Sequence, residues 1–168
     1  MIDHRLRPAS AEEAGAVAAI WFAGWREAHA AHVPDALLAL RTQESFGIRA
    51  GHRIADTVVA VVGQEIAGFA MILDDEVDQV YVAPGHRGTG VAESLLDDAA
   101  RRIAAAGHRR AWLAVIAVNA RARRFYERCG WIDEGPFDYQ AATERGPVTV
   151  PCHRYARALT ADRDTTLR

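Results

Sequence analysis

Apolar positions along the chain change period several times, and each change marks an element. Val17, Ile20, Trp21 and Trp25 recur at helical spacing. They follow Ser10-Ala11-Glu12-Glu13, an S-x-x-E run in which serine and glutamate satisfy each other's free backbone donors. A helix is therefore expected after Ser10, behind a short strand at 4–8, and a second helical stretch is expected over 35–46. Thr57–Val62 is then β-branched and apolar, Gly63-Gln64-Glu65 is a turn, and 66–73 returns as a second strand, which together read as a hairpin. Asp74-Asp75 turns the chain into a third strand, Glu76–Val82. After a glycine-bearing loop, Val91, Leu95, Leu96, Ala99 and Ile103 mark one face of a helix, with Gly107 where a helix ends. Residues 111–118 form another apolar strand, expected parallel to the strand before that helix. Asn119 opens a last helix that ends at Gly130, and 131–141 with 147–155 close the chain as an antiparallel pair around Arg145-Gly146.

The order βααββ, βαβ, αββ, with no internal repeat or low-complexity linker, predicts one α/β domain with a mixed sheet and helices on both faces. That domain is expected to span 1–159, leaving a polar tail at 160–168. A length of 168 residues, half of them apolar, is enough for one core without staples. Cys129 and Cys152 are far apart and there is no C-x-x-C, which excludes a disulfide framework and a zinc or redox motif of that type. The seven histidines show no metal-ligand spacing, so no metal is expected. Twenty basic residues, all arginine, stand against 22 acidic ones, and a net charge of −2 gives no general pull toward nucleic acid or membrane. The charged N-terminus lacks the apolar stretch of a signal peptide, and the most apolar run, 14–25, is too short to span a bilayer, so a cytoplasmic protein is expected.

The most informative segment joins the third strand to the following helix: Val82-Ala83-Pro84-Gly85-His86-Arg87-Gly88-Thr89-Gly90-Val91-Ala92. A helix N-terminus offers free N–H groups and a partial positive charge, and missing side chains let an anion such as a diphosphate reach the backbone. Arg87 can add a charge-assisted contact. The alternative is a glycine-eased turn with no ligand. A Walker loop is excluded because the chain has no lysine, and a Rossmann fingerprint because Glu93 stands where the third glycine belongs.

The same segment resembles motif A of the GCN5-related N-acetyltransferases, R/Q-x-x-G-x-G/A, filled here by Arg87, Gly90 and Ala92. A second family signature, N-x-x-A-x-x-F/Y-Y-x-x-x-G-F/W after a strand, is matched by Asn119, Ala122, Phe125, Tyr126, Gly130 and Trp131. Both stand in the family's order and at its usual distance, and the likeness covers nearly the whole chain up to about Leu159. It implies a fold of about seven strands and four helices, with acetyl-CoA bound where two central parallel strands splay apart. Here those strands are Glu76–Val82 and 111–118. The free edge of the first, Val80 and Val82 included, would take the pantetheine arm as it would a neighbouring strand. By the resemblance the pyrophosphate sits on the amides of Arg87, Gly88, Thr89, Gly90, Val91 and Ala92. Asn119, with Ala122, stands beside the arm, where its amide can both donate and accept. Arg121, Arg123 and Arg124 open the last helix. Arg124 is assigned to the nucleotide's phosphates, and each of the three reads equally as part of a solvated face.

Acetyl transfer to an amine needs a base, because an amine near pKa 10 is mostly ammonium at neutral pH, and it needs a proton for the leaving thiolate. Tyr126 matches the family tyrosine that supplies that proton. Glu76 stands where histone-acetylating members carry their base, and Asp78 alternates onto the same strand face, so either could serve. The acidic stretch Asp74, Asp75, Glu76 and Asp78 would favour a cationic acceptor. Trp25 and His29 lie in the region that contributes to the family's acceptor pocket. The expectation is therefore direct acetylation of a small-molecule primary amine. The alternatives are an inactive acyl-CoA-binding module and a protein N-terminal or lysine acetyltransferase, and a homodimer is left open. A nucleic-acid-binding protein using the arginine-rich helix at 121–128 is disfavoured by the net charge.

Overall fold

The computed structural model describes residues 2–160. The tail expected at 160–168 therefore lies outside the described residues except for Thr160. Seven strands form one sheet in the order β1-β2-β3-β4-β5-β7-β6: β1 (Arg5–Pro8), β2 (Thr57–Val62), β3 (Glu65–Leu73), β4 (Glu76–Val82), β5 (Arg110–Ile116), β6 (Ile132–Ala141) and β7 (Val148–Ala158). Every neighbouring pair is antiparallel except β4–β5. Strand 111–118 was expected two residues longer; it stops at Ile116, where the chain turns toward Asn119.

The expected capping arrangement forms at Ser10, whose N–H donates to Glu13 at 2.8 Å, and a 3₁₀ turn leads into α1 (Ala14–His29). The helical stretch expected over 35–46 is instead two helices, α2 (Asp35–Leu40) and α3 (Gln43–His52). Thr42 makes the break: its Oγ1 accepts the Ser45 N–H at 3.1 Å and restarts the chain as a new N-cap. The other helices are α4 (Val91–Ala105) and α5 (Ala120–Arg128).

Helices cover both sheet faces. On one, Val17, Trp21 and Trp25 of α1, Leu37 of α2 and Phe46 of α3 pack with Val59, Phe69 and Met71. On the other, Leu96, Ala99 and Ile103 of α4 pack with Val77, Leu113 and Tyr155. Gly68 of β3 sits where a Cβ would come 2.8 Å from the Tyr81 carbonyl oxygen of β4. Gly68→Ala is expected to destabilise the protein by about 1–3 kcal/mol through backbone displacement. An unchanged urea midpoint would show that the β3–β4 spacing yields freely.

Candidate active site

Strands β4 and β5 share a single register pair, Glu76 with Trp112, and then part. The cause lies on the other side of β4. Met71 of β3 faces Gln79 while Ile72 faces Val77, so Asp78 is an extra residue, a bulge that bends β4 away from β5. Beyond it the β5-facing edge of β4 has no strand partner, whereas β5 is paired with β7 from Arg110 to Ile116. The bulge also resets the alternation of side chains. Val77 and Val80 pack toward α4, while Gln79 accepts the Trp21 indole N–H of α1 at 3.2 Å. Glu76, Asp78 and Gln79 thereby line one cavity of about 740 Å³ between α1, β4, β5, α5 and β6.

At the C-terminal end of β4, Gly88 and Gly90 hold φ of +74° and +88°, left-handed values that suit glycine. Among the described residues the N–H groups of Gly88, Thr89 and Gly90 have no acceptor, and those of Val91 and Ala92 belong to the unpaired first turn of α4. A Cβ at Gly88 would meet nothing within 4 Å. A row of free N–H groups facing open space beside an unpaired strand edge fits a diphosphate followed by an amide-bearing arm.

Where the strands part, Tyr126 of α5 lines the cavity. Its ring packs against Phe125 and Tyr155, with centroids 5.3 and 6.1 Å away, and burial pushes the phenol up to about 12. Glu76 is 8% exposed, and burial, followed by the neighbouring Asp78, raises its carboxyl to about 7. Asp78 is differently placed. Its Oδ2 accepts Arg53 Nη1 at 3.0 Å and its Oδ1 accepts the Tyr139 hydroxyl at 3.4 Å. Burial and these two carboxylates push the Tyr139 phenol far up, so it stays a donor.

A sequence model of the acetyltransferase (GNAT) family matches residues 16–131, a span that holds both loop and helix motifs. The chain belongs to this family. Solved structures share the fold of this GNAT chain. A GCN5-related N-acetyltransferase from Rhodopseudomonas palustris is 22% identical, with 95% of this chain and 98% of that one covered at a TM-score of 0.71. YncA from Salmonella typhimurium, solved with its cofactor acetyl-CoA, is 17% identical, covering 99% and 98% at 0.67. A ribosomal-protein-alanine N-acetyltransferase from Brucella melitensis is 18% identical, covering 92% and 99% at 0.69. No curated protein matches the chain in sequence.

The GNAT frame brings half of the expected residues to one cavity. Tyr126, Glu76, Asp78, Val80, Asn119, Ala122, Trp25 and His29 all line the cavity. Trp25 and His29 stack at 5.3 Å with their planes 9° apart, and His29 Nδ1 donates to the Trp25 carbonyl at 3.1 Å. Val82 and residues 87–92 lie outside it, at the cleft's outer end, and Arg124 is exposed on α5.

Several expectations need correction. Asn119 spends part of its amide on the helix: Oδ1 caps α5 by accepting the Ala122 N–H at 3.1 Å with one of its two lone pairs, while Nδ2 remains to donate. Arg123 does not reach toward the loop, because its guanidinium is held by Asp133 at 3.0 Å, Tyr155 and the Ala117 carbonyl. Arg87 is forked onto Glu27 of α1 at 3.0 and 2.8 Å, so meeting a phosphate would mean exchanging one anion for another. The acidic stretch is not one field either. Asp74 is exposed in the turn and Asp75 accepts the Trp112 indole N–H at 3.0 Å, which leaves Glu76 and Asp78 in the cavity.

Sequence reading missed Tyr139 and the arginines Arg41, Arg49 and Arg53, all lining the cavity. A signal for Arg49 existed: it stands three residues after buried Phe46 and one before buried Ala50, on the apolar side of α3. Ending that helix at 46 hid it. Among the described residues no helix is long and apolar enough to cross a membrane, and no group of three or more His, Cys, Asp or Glu could hold a metal ion.

Proposed function

We propose that this protein is an acetyl-CoA-dependent N-acyltransferase that moves an acetyl group directly onto a primary amine of a small molecule. The observation that carries this reading is the gap between β4 and β5, which joins an amide-lined loop at one end to a buried carboxylate pair at the other. A cavity of about 740 Å³ lies within the range that encloses small ligands.

Bound acetyl-CoA supplies an activated thioester. The free N–H groups of residues 88–92 hold its diphosphate, and the unpaired edge at Val80 and Val82 holds its amide-bearing arm. Asn119 Nδ2 donates to that arm, and Arg124 stands ready for the nucleotide's phosphates. Glu76 takes the proton that makes the amine a nucleophile. It is preferred over Asp78 because Arg53 and Tyr139 already occupy both Asp78 oxygens. A base near 7 is matched to neutral pH, being ionised often enough to act and basic enough to accept. Tyr126 keeps its proton throughout the neutral range and presents it to the leaving sulfur. Trp25 and His29 wall the acceptor end.

Acetyl-CoA is expected to raise thermal stability by mass action, by about 2.7 kcal/mol at a hundredfold excess over its dissociation constant. No shift with acetyl-CoA or CoA would remove the cofactor from the reading. Thiol release across a panel of amines then tests the reaction. Stabilisation without release would identify an acyl-CoA-binding module, and release with a peptide N-terminus or lysine peptide alone would identify a protein acetyltransferase.

A further inference from the structure

The acceptor half of the cavity carries more positive charge than proton abstraction requires. Arg41, Arg49 and Arg53 line it against only Glu76 and Asp78. Arg53 is paired with Asp78, and Glu76 is held partly protonated by burial. Among the described residues neither Arg41 nor Arg49 forms a salt bridge.

Arg41 is nonetheless withdrawn from water, and Arg49 is half-buried with its Nη1 enclosed. Arg41 is 6% exposed and spends Nη2 on the Ala142 carbonyl at 2.7 Å. Arg49 lays its guanidinium over the Trp21 ring, 4.3 Å from the centroid, and over Phe46 at 5.2 Å, and its Nη1 is buried with no acceptor. The aromatic faces stabilise the cation but give the in-plane N–H groups nothing to bind. Burial, then the like charge of Arg41, lowers Arg49 to about 10, with Asp78 and Tyr81 opposing and Arg53 adding to the effect. A guanidinium with an enclosed orphan donor beside a second, buried one is costly unless an anion joins them.

We propose that Arg49, with Arg41 beside it, is a carboxylate subsite, and that the acceptor is a zwitterion of amino-acid size whose carboxylate meets these guanidiniums while its amine faces Glu76. A carboxylate matches the guanidinium fork and supplies the acceptor that Nη1 lacks. The apolar wall of Trp25, Val33 and Leu37 suits an acid with an apolar side chain. The amine half of this inference rests on the transferase reading; the anion half rests on Arg41 and Arg49 alone.

The test compares matched ligands: L-leucine, L-leucinamide and 3-methylbutylamine, followed by the other amino acids each beside its amide. In thiol-release assays at least one acid is expected to exceed its amide and its decarboxylated amine in kcat/KM by tenfold or more. Arg49→Met is expected to cut that preference at least tenfold, with Arg49→Lys falling between. A thermal-shift series without acetyl-CoA gives a second readout, in which the preferred acid raises the melting temperature of the wild type and its amide does not. If no amine is acetylated, the transferase reading fails, and the thermal-shift pairs still decide the subsite. Amides that equal their acids in every pair, by turnover or by thermal shift, overturn it, and so does a preference that survives Arg49→Met. The ligand pairs on the wild type need no variant, so a misfolded Arg49→Met would not rescue the idea.

Discussion

Tyr126→Phe is expected to lower turnover by roughly 10²–10⁴-fold while leaving acetyl-CoA affinity little changed. The substitution removes one hydroxyl and keeps the ring that packs between Phe125 and Tyr155, so the fold is not at stake. In the proposed reaction that hydroxyl faces the sulfur as negative charge gathers there, and a thiolate with an ordinary conjugate-acid pKa near 8.5 is a poor leaving group in a buried cleft without a donor. Burial holds the phenol proton up to about 12, so ionisation of Tyr126 should not cut the rate between pH 7 and 10. Single-turnover rates across that range provide the check. An alkaline fall in the wild type that disappears in the phenylalanine variant would show that the phenol ionises within that range and is not held up by burial, and unchanged turnover in the variant would return Tyr126 to a packing role.

Glu76→Gln is expected to produce two opposite effects. Activity at pH 8 falls by roughly 10²–10⁴-fold, and the acid limb of the kcat/KM profile, centred near 7, is lost. Stability moves the other way. Burial raises the folded carboxyl from 4.5 to about 7, so the folded state holds this proton more tightly than the unfolded chain. As pH rises from about 4.5 the unfolded chain releases its proton first and the folded state loses relative stability, with the full penalty present above about 7. The shift corresponds to about 3 kcal/mol at most, and partial solvent screening brings the expected gain for the glutamine variant to about 1–3 kcal/mol at pH 8. The gain should shrink toward pH 5, where the wild-type carboxyl is protonated in the folded state. Urea titrations of both proteins at the two pH values measure it directly, and equal differences at pH 5 and pH 8 would show that Glu76 carries no such shift. A residue that weakens the fold while serving the reaction is the pattern expected of a functional carboxylate.

Local chemistry was legible wherever neighbours in sequence are neighbours in space. The Ser10–Glu13 cap, the hairpin of β2 and β3, the turn into β4 and the glycine loop before α4 all depend on contacts within a few residues. The loop and helix motifs therefore located the candidate cofactor end and Tyr126 with no knowledge of packing. The break at Thr42 was also written locally, as a threonine able to cap a new helix. Reading one helix over 35–46 passed through it, and with it the position of Arg49 was lost.

The chain by itself determined the type of its elements, their order except for the helix that splits at Thr42, and the family they belong to, and it nominated the candidate acid and base. Tertiary structure alone decided that β4 bulges at Asp78, because a bulge is a mismatch between two strands and has no meaning in one of them. It also decided how differently the two carboxylates are held, since Arg53 and Tyr139 reach Asp78 across 25 and 61 residues. The meeting of Arg41 and Arg49 with Glu76 in one cavity has the same origin, because it takes the packing of helices against the splayed edge of a sheet to enclose them together.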